Sequence, residues 1–108
     1  MDLNDLRIPY GAYWSTPFVR WQGSFSHLHS MRFAADTAKK VLANRQIPLE
    51  AIDHGVLGIT VPQEKSFWGV PWLMSLVGAP TVSGPTISQA CATSARCLAA
   101  AASDLEIG

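Results

Sequence analysis

An α/β fold is what this sequence predicts, on three observations. Short apolar runs suited to strands alternate with runs of helical period, in the order β-α-β-α-β-α. The clearest strand, Gly55 to Val61, is apolar almost throughout rather than alternating, as in a parallel strand covered on both faces. A brief β-capable run, Thr86 to Gln89, then feeds straight into an alanine-rich helical stretch. Right-handed crossovers between such strands place helices on both faces of a mainly parallel sheet.

Each element has its own reason. Arg7 to Trp14 is a first strand rich in aromatic residues but interrupted by Pro9 and Gly11. A loop follows to His29. The first helix is expected over Ser30 to Asn44, with Ser30 as N-cap. Phe33, Thr37 and Val41 form one apolar ridge, flanked by Ala34, Ala38 and Leu42, while Arg32, Asp36, Lys39 and Lys40 turn to water. A connector holds a single turn, Pro48 to Ile52, before the strand at Gly55. The second helix runs from Pro71 to Val77, with proline in the first turn and Gly78 just past the end. The last strand is Thr86 to Gln89 and the last helix Cys91 to Leu105. Three strands make a narrow sheet with open edges. Residues 1–108 therefore read as part of one domain, an incomplete α/β unit whose last helix would return the chain to a further strand.

Composition narrows the function. The chain has 108 residues, of which 48% are hydrophobic and 15% charged, against about 25% charged in an average globular chain. Between Ser66 and Ser103 the only formal charge is Arg96, so much of the second half is expected to be buried, in its own core or against something else. Net charge is zero and there is no basic run, which speaks against nucleic acid. The longest apolar stretch, Gly69 to Val82, is broken by Pro71 and Pro80 and falls short of a bilayer span of about 20 residues. No signal-peptide pattern opens the chain, and two cysteines on one helical run make no disulfide framework, so a cytoplasmic setting is expected. No metal-ligand spacing is present: His27 and His29 lie two apart in a loop with no third ligand at zinc-like distance.

Cys91 is the candidate catalytic residue. It sits where a strand hands over to a helix, facing backbone N–H groups that the first turn leaves unpaired and the positive end of the helix dipole. That setting suits a sulfur nucleophile. Cys97 lies further along the same helix, beyond the reach of the dipole, and reads as a packing residue. His27 and His29 read as surface residues, and His54 as completing a turn before a strand. Tyr10, Tyr13, Trp14, Phe18, Trp21 and Phe25 are read as packing beneath the first helix or at a subunit contact. Phe67, Trp68 and Trp72 pose the same choice.

Taken in order, the motifs resemble the N-terminal part of a thiolase. An Arg-Thr-Pro-x-Gly-x-Phe-x-Gly-like segment is matched by Ser15-Thr-Pro-Phe-Val-Arg-Trp-Gln-Gly-Ser-Phe25. A Val-Asp-x-Val-x-x-Gly-like segment is matched by Ile52-Asp-His-Gly-Val-Leu-Gly58, and the nucleophile motif Asn-x-x-Cys-x-Ser-Gly by Ser88-Gln-Ala-Cys-Ala-Thr-Ser94. The resemblance spans essentially the whole chain. It implies that Cys91 accepts an acyl group from acyl-CoA as a thioester, with coenzyme A thioesters as substrates and no permanently bound cofactor. It also implies dimers, or dimers of dimers, joined through the strand near Ile87. The family's activating His, second Cys and Asn, and its CoA-holding loop region, come from downstream motifs outside these 108 residues. Ser15 replaces the arginine of the first motif, Gln89 an often small or basic residue, and Ser94 a usual glycine, which bears on substrate range. The alternative is a non-catalytic module, or a degenerate piece, that works by association with a partner polypeptide.

Overall fold

The computed structural model describes residues 5–108. It shows a compact mixed α/β arrangement with a small parallel sheet. Among the described residues the elements are α1 (Ser30–Asn44), β1 (Leu57–Gly58), α2 (Gly69–Val77), β2 (Thr86–Ile87) and α3 (Thr93–Ile107), with single 3-10 turns at Leu49–Ala51, Ser66–Trp68 and Ala90–Ala92. β1 and β2 pair in parallel, Leu57 opposite Thr86 and Gly58 opposite Ile87.

The two later strands lie where the apolar runs place them but are shorter. The ladder nevertheless reaches past the strand ends: Gly55 N–H donates to Ser83 O at 3.1 Å, Leu57 N–H to Pro85 O at 3.0 Å and Ile59 N–H to Ile87 O at 3.1 Å. One face of β1 packs on α2, while the other approaches α3 and leaves Gly58 and Thr60 exposed. A Cβ on Gly55 would point at Val70 of α2, whereas one on Gly58 would point at Thr93 and Cys97 of α3.

The expected first strand, Arg7 to Trp14, does not form. Ala12 N–H donates to Pro9 O at 3.0 Å, closing a turn through Gly11 at φ +79°. The Arg45 guanidinium donates to the carbonyls of Gly11 and Tyr13. Pro9 brings no N–H to a ladder, and a side chain at the end of α1 takes two carbonyls that a neighbouring strand would need. The order among the described residues is therefore α-β-α-β-α.

α1 keeps its expected bounds but buries a different stripe. Met31, Ala35 and Leu42 are buried and Ala38 packs against them, displacing the Phe33, Thr37 and Val41 ridge by part of a turn. Arg32, Asp36, Lys39 and Lys40 are exposed as expected. The N-cap is His29 rather than Ser30: its Nδ1 accepts the Met31 N–H at 3.2 Å. Ser30, now the first helical residue, gives its N–H to Gln63 Oε1 at 2.8 Å. α2 starts two residues earlier than expected, at Gly69, with Pro71 still inside the first turn. Gly78 ends it at φ +111°, its N–H returning to Met74 O at 3.0 Å, in the left-handed cap that glycine adopts without a Cβ clash.

The core is two adjoining clusters. Ala35, Leu42 and Val77 join α1 to α2, while Val70, Ala79 and Val82 pack under β1 with Leu57. The low-charge second half is only partly buried: of α3, only Thr93 is fully buried, and Leu98, Leu105 and Ile107 are exposed. The aromatic residues ahead of α1 divide. Phe25 stacks edge-to-face on Phe33 at 4.8 Å, but Tyr10, Phe18 and Trp21 stand in solvent rather than beneath the helix. Trp72 is packed, with the His29 ring edge-on at 5.4 Å and the Arg32 guanidinium over its face at 5.3 Å; Phe67 and Trp68 are exposed.

Candidate active site at the strand-to-helix joint

β2 delivers the chain to the joint at the carboxyl edge of the sheet, the edge where parallel α/β sheets place their ligands. After Ile87 the backbone leaves the ladder. Gln89 adopts φ −144°, ψ 47°, and Ala90 adopts φ +45°. A positive φ is uncommon for any residue with a Cβ and costs of order 1 kcal/mol or more. The 3-10 turn Ala90–Ala92 follows, and α3 begins at Thr93 instead of Cys91. Cys91 therefore occupies the apex of the joint, ahead of the helix it was expected to open, with an exposed free thiol.

Thr93 holds this geometry. Its hydroxyl accepts the Gln89 N–H at 2.8 Å and donates to Ala90 O at 2.7 Å, bridging the residues on either side of the left-handed position. The side chain is buried, with its methyl toward Gly58. Among the described residues, the N–H groups of Ala90 and Cys91 meet no acceptor. The arrangement thus presents a sulfur and two free backbone donors on a pinned turn.

Cys97 lies one helical turn beyond Thr93 and is half-buried, close enough to the strand that a Cβ on Gly58 would fall 2.8 Å from its Sγ. It lines an open concavity between β1 and α3, together with Val56, Gly58, Thr60, Ser94 and Leu98. Its packing role agrees with its mid-helix position.

The histidines do not assemble around Cys91. His54 pairs with Asp104, Nε2 to Oδ2 at 2.6 Å, near the far end of α3. Asp104 is eleven residues beyond Thr93, or about 16 Å of helix. His29 is committed at both ring nitrogens, since Nε2 meets Glu64 O at 2.5 Å while Nδ1 accepts from Met31. His27 is exposed. Among the described residues no side chain hydrogen-bonds to the Cys91 sulfur, no group of three or more His, Cys, Asp or Glu side chains is placed to hold a metal ion, and no helix is long and apolar enough to cross a membrane.

Sequence reasoning singled out Cys91 but missed Thr93, His29 and Gln63. A threonine two residues past the cysteine looks like an ordinary first-turn residue, and only the left-handed Ala90 brings Gln89 N–H to its hydroxyl. Ser30 meets Gln63 across 33 residues of chain and His29 meets Glu64 across 35, separations with no local signal. No protein-family model, curated protein or solved structure matches this chain.

Proposed function

We propose that the chain is the N-terminal part of a thiolase-like acyltransferase, in which Cys91 takes an acyl group from acyl-CoA. The Cys91 sulfur attacks the thioester carbonyl. A new S–C bond forms, the bond from carbon to the CoA sulfur breaks, and CoA leaves as the thiol after taking up the proton. The oxyanion of the tetrahedral intermediate is held by backbone N–H groups at the joint. In the second step a carbanion derived from another acyl-CoA displaces the cysteine. That step belongs to the His, Cys and Asn that the family supplies from other segments. A cytoplasmic setting, in which both thiols stay reduced, is part of this reading.

One observation supports it: Cys91 is exposed on a 3-10 turn that the Thr93 hydroxyl pins to Gln89 and Ala90. The test is intact-mass and peptide mapping of the protein after incubation with acetyl-CoA. Acetyl on Cys91 and not on Cys97 is the expected result. Acetylation of neither thiol, in protein with native helical content, overturns the proposal. Isolated residues 1–108 are expected to show no turnover of acetoacetyl-CoA and CoA, because the acid–base groups lie elsewhere.

A second reading, association without catalysis, is favoured by the exposed surface. The chain exposes 8101 Å², whereas a folded chain of 11.7 kDa exposes about 5,900 Å². Leu98, Leu105 and Ile107 on α3 belong to that excess. Light scattering separates the readings: a well-folded monomer with unreactive Cys91 sinks the acyltransferase, while a stable oligomer with acylated Cys91 accommodates both.

A further inference from the structure

α3 keeps Thr93, Cys97 and Asp104 toward the rest of the fold and turns an apolar stripe away from it. Ala95, Leu98, Ala102 and Leu105 recur along that stripe at intervals of three, four and three residues, the heptad spacing with which one helix seats on another. Leu98 is 65% exposed and Leu105 69%, and Ala95 is exposed beside them. No charged side chain falls on the stripe. Asp104 is turned onto His54, and the helical period puts Arg96 on the far side of α3. Glu106 flanks the stripe at its carboxyl end.

We infer that a second copy of this chain docks on the stripe, the two α3 helices packing antiparallel about a two-fold axis. This names the partner in the association reading above and rests on that reading. The stripe is complementary to itself. With the helices antiparallel and Leu98 opposite the partner's Ala102, Leu105 falls opposite the partner's Ala95, so every layer sets a large side chain against a small one. The two-fold repeats both layers and closes the dimer. A parallel pair in register would set leucine on leucine and leave gaps where alanine meets alanine. Charge selects the same direction. Glu106 sits in the last turn of α3, at the negative end of its own helix dipole, while the first turn holds no acidic residue and no side-chain cap. The antiparallel register carries Glu106 to the partner's first turn, where unpaired N–H groups and the positive end of the dipole meet it. The area agrees. The 8101 Å² that the chain exposes is about 2,200 Å² above the expectation for its mass, more than the roughly 800 Å² that each partner buries in a stable interface. Cys91, upstream of the helix, stays outside the seam.

The test is sedimentation velocity on the full chain over a range of concentrations, with circular dichroism to establish native helical content in each variant. A reversible dimer at twice the 11.7 kDa of one chain is expected. Leu98→Lys changes an exposed position and should raise the dissociation constant about tenfold or more. Ala102→Leu should weaken the dimer by setting leucine against leucine. Adding Leu98→Ala to Ala102→Leu should restore it, because the large and small partners are then exchanged. Ile107→Lys, at a position 85% exposed but on the opposite side of α3, should leave the dimer unchanged. A monomer at every concentration overturns both this inference and the association reading. A dimer that survives Leu98→Lys, is lost in Ile107→Lys, or is not recovered by the double variant overturns the α3 seam while leaving association itself standing. Acetylation of Cys91, scored by mass, is decided separately.

Discussion

Gly58 of β1 lies so close to Thr93 of α3 that a methyl group on it would sit 2.7 Å from the threonine Cγ2. The strand and the joint carrying Cys91 are therefore seated directly on one another. Gly58→Ala is expected to push α3 off the sheet and to destabilise the fold by about 1–3 kcal/mol, the usual cost of overpacking. Urea unfolding followed by circular dichroism measures this. Cys97→Ala in the same background removes the second clashing atom and should recover part of the loss; an unchanged midpoint in Gly58→Ala would mean that the contact has no consequence.

Thr93 should matter through its hydroxyl rather than its shape. Thr93→Val keeps the volume but strips the Gln89 N–H and Ala90 O of a partner, at an expected cost of about 1–3 kcal/mol. Thr93→Ser keeps both hydrogen bonds and should retain the acylation rate of Cys91 even though it loses a methyl contact. Equal acylation rates in Thr93→Val and wild type would show that the pinned turn is irrelevant to the chemistry.

The two thiols should differ in reactivity. Cys91 is exposed, while Cys97 is half-buried against Gly58. Iodoacetamide is expected to modify Cys91 first, as read by peptide mapping over time, and Cys91→Ala should abolish acyl transfer while Cys97→Ala leaves most of it. Equal slow labelling of both would count against the assignment.

The His54–Asp104 pair, though only 2.6 Å long, is expected to add little to stability. Its side chains are 43% and 38% exposed, so water and salt screen the interaction. A double-mutant cycle with His54→Ala and Asp104→Ala should give a coupling energy below about 1 kcal/mol. A larger value would mean that the contact holds α3 against the start of β1 more firmly than a surface pair does.

Local chemistry made parts of this molecule legible from sequence alone. Proline in the first turn and glycine at the end of α2 mark that helix because φ preferences act within a few residues. The apolar run around Leu57 announced a parallel strand because strand propensity is a local property, although the cover expected on both faces is incomplete at exposed Gly58. The position of Cys91 between a strand and a helix followed from the same short-range rules. Tertiary contacts decided the rest. Arg7 to Trp14 carries strand-like residues, yet Arg45, more than thirty residues away, takes two of its carbonyls and leaves it outside the sheet. The N-cap moved from Ser30 to His29 because Gln63 and Glu64 arrive from a distant loop. The left-handed Ala90 is held by the Thr93 hydroxyl, which accepts the Gln89 N–H and donates to Ala90 O. Propensity and periodicity report on neighbours in the chain, whereas caps, tethers and close approaches depend on which distant groups folding brings within hydrogen-bonding range.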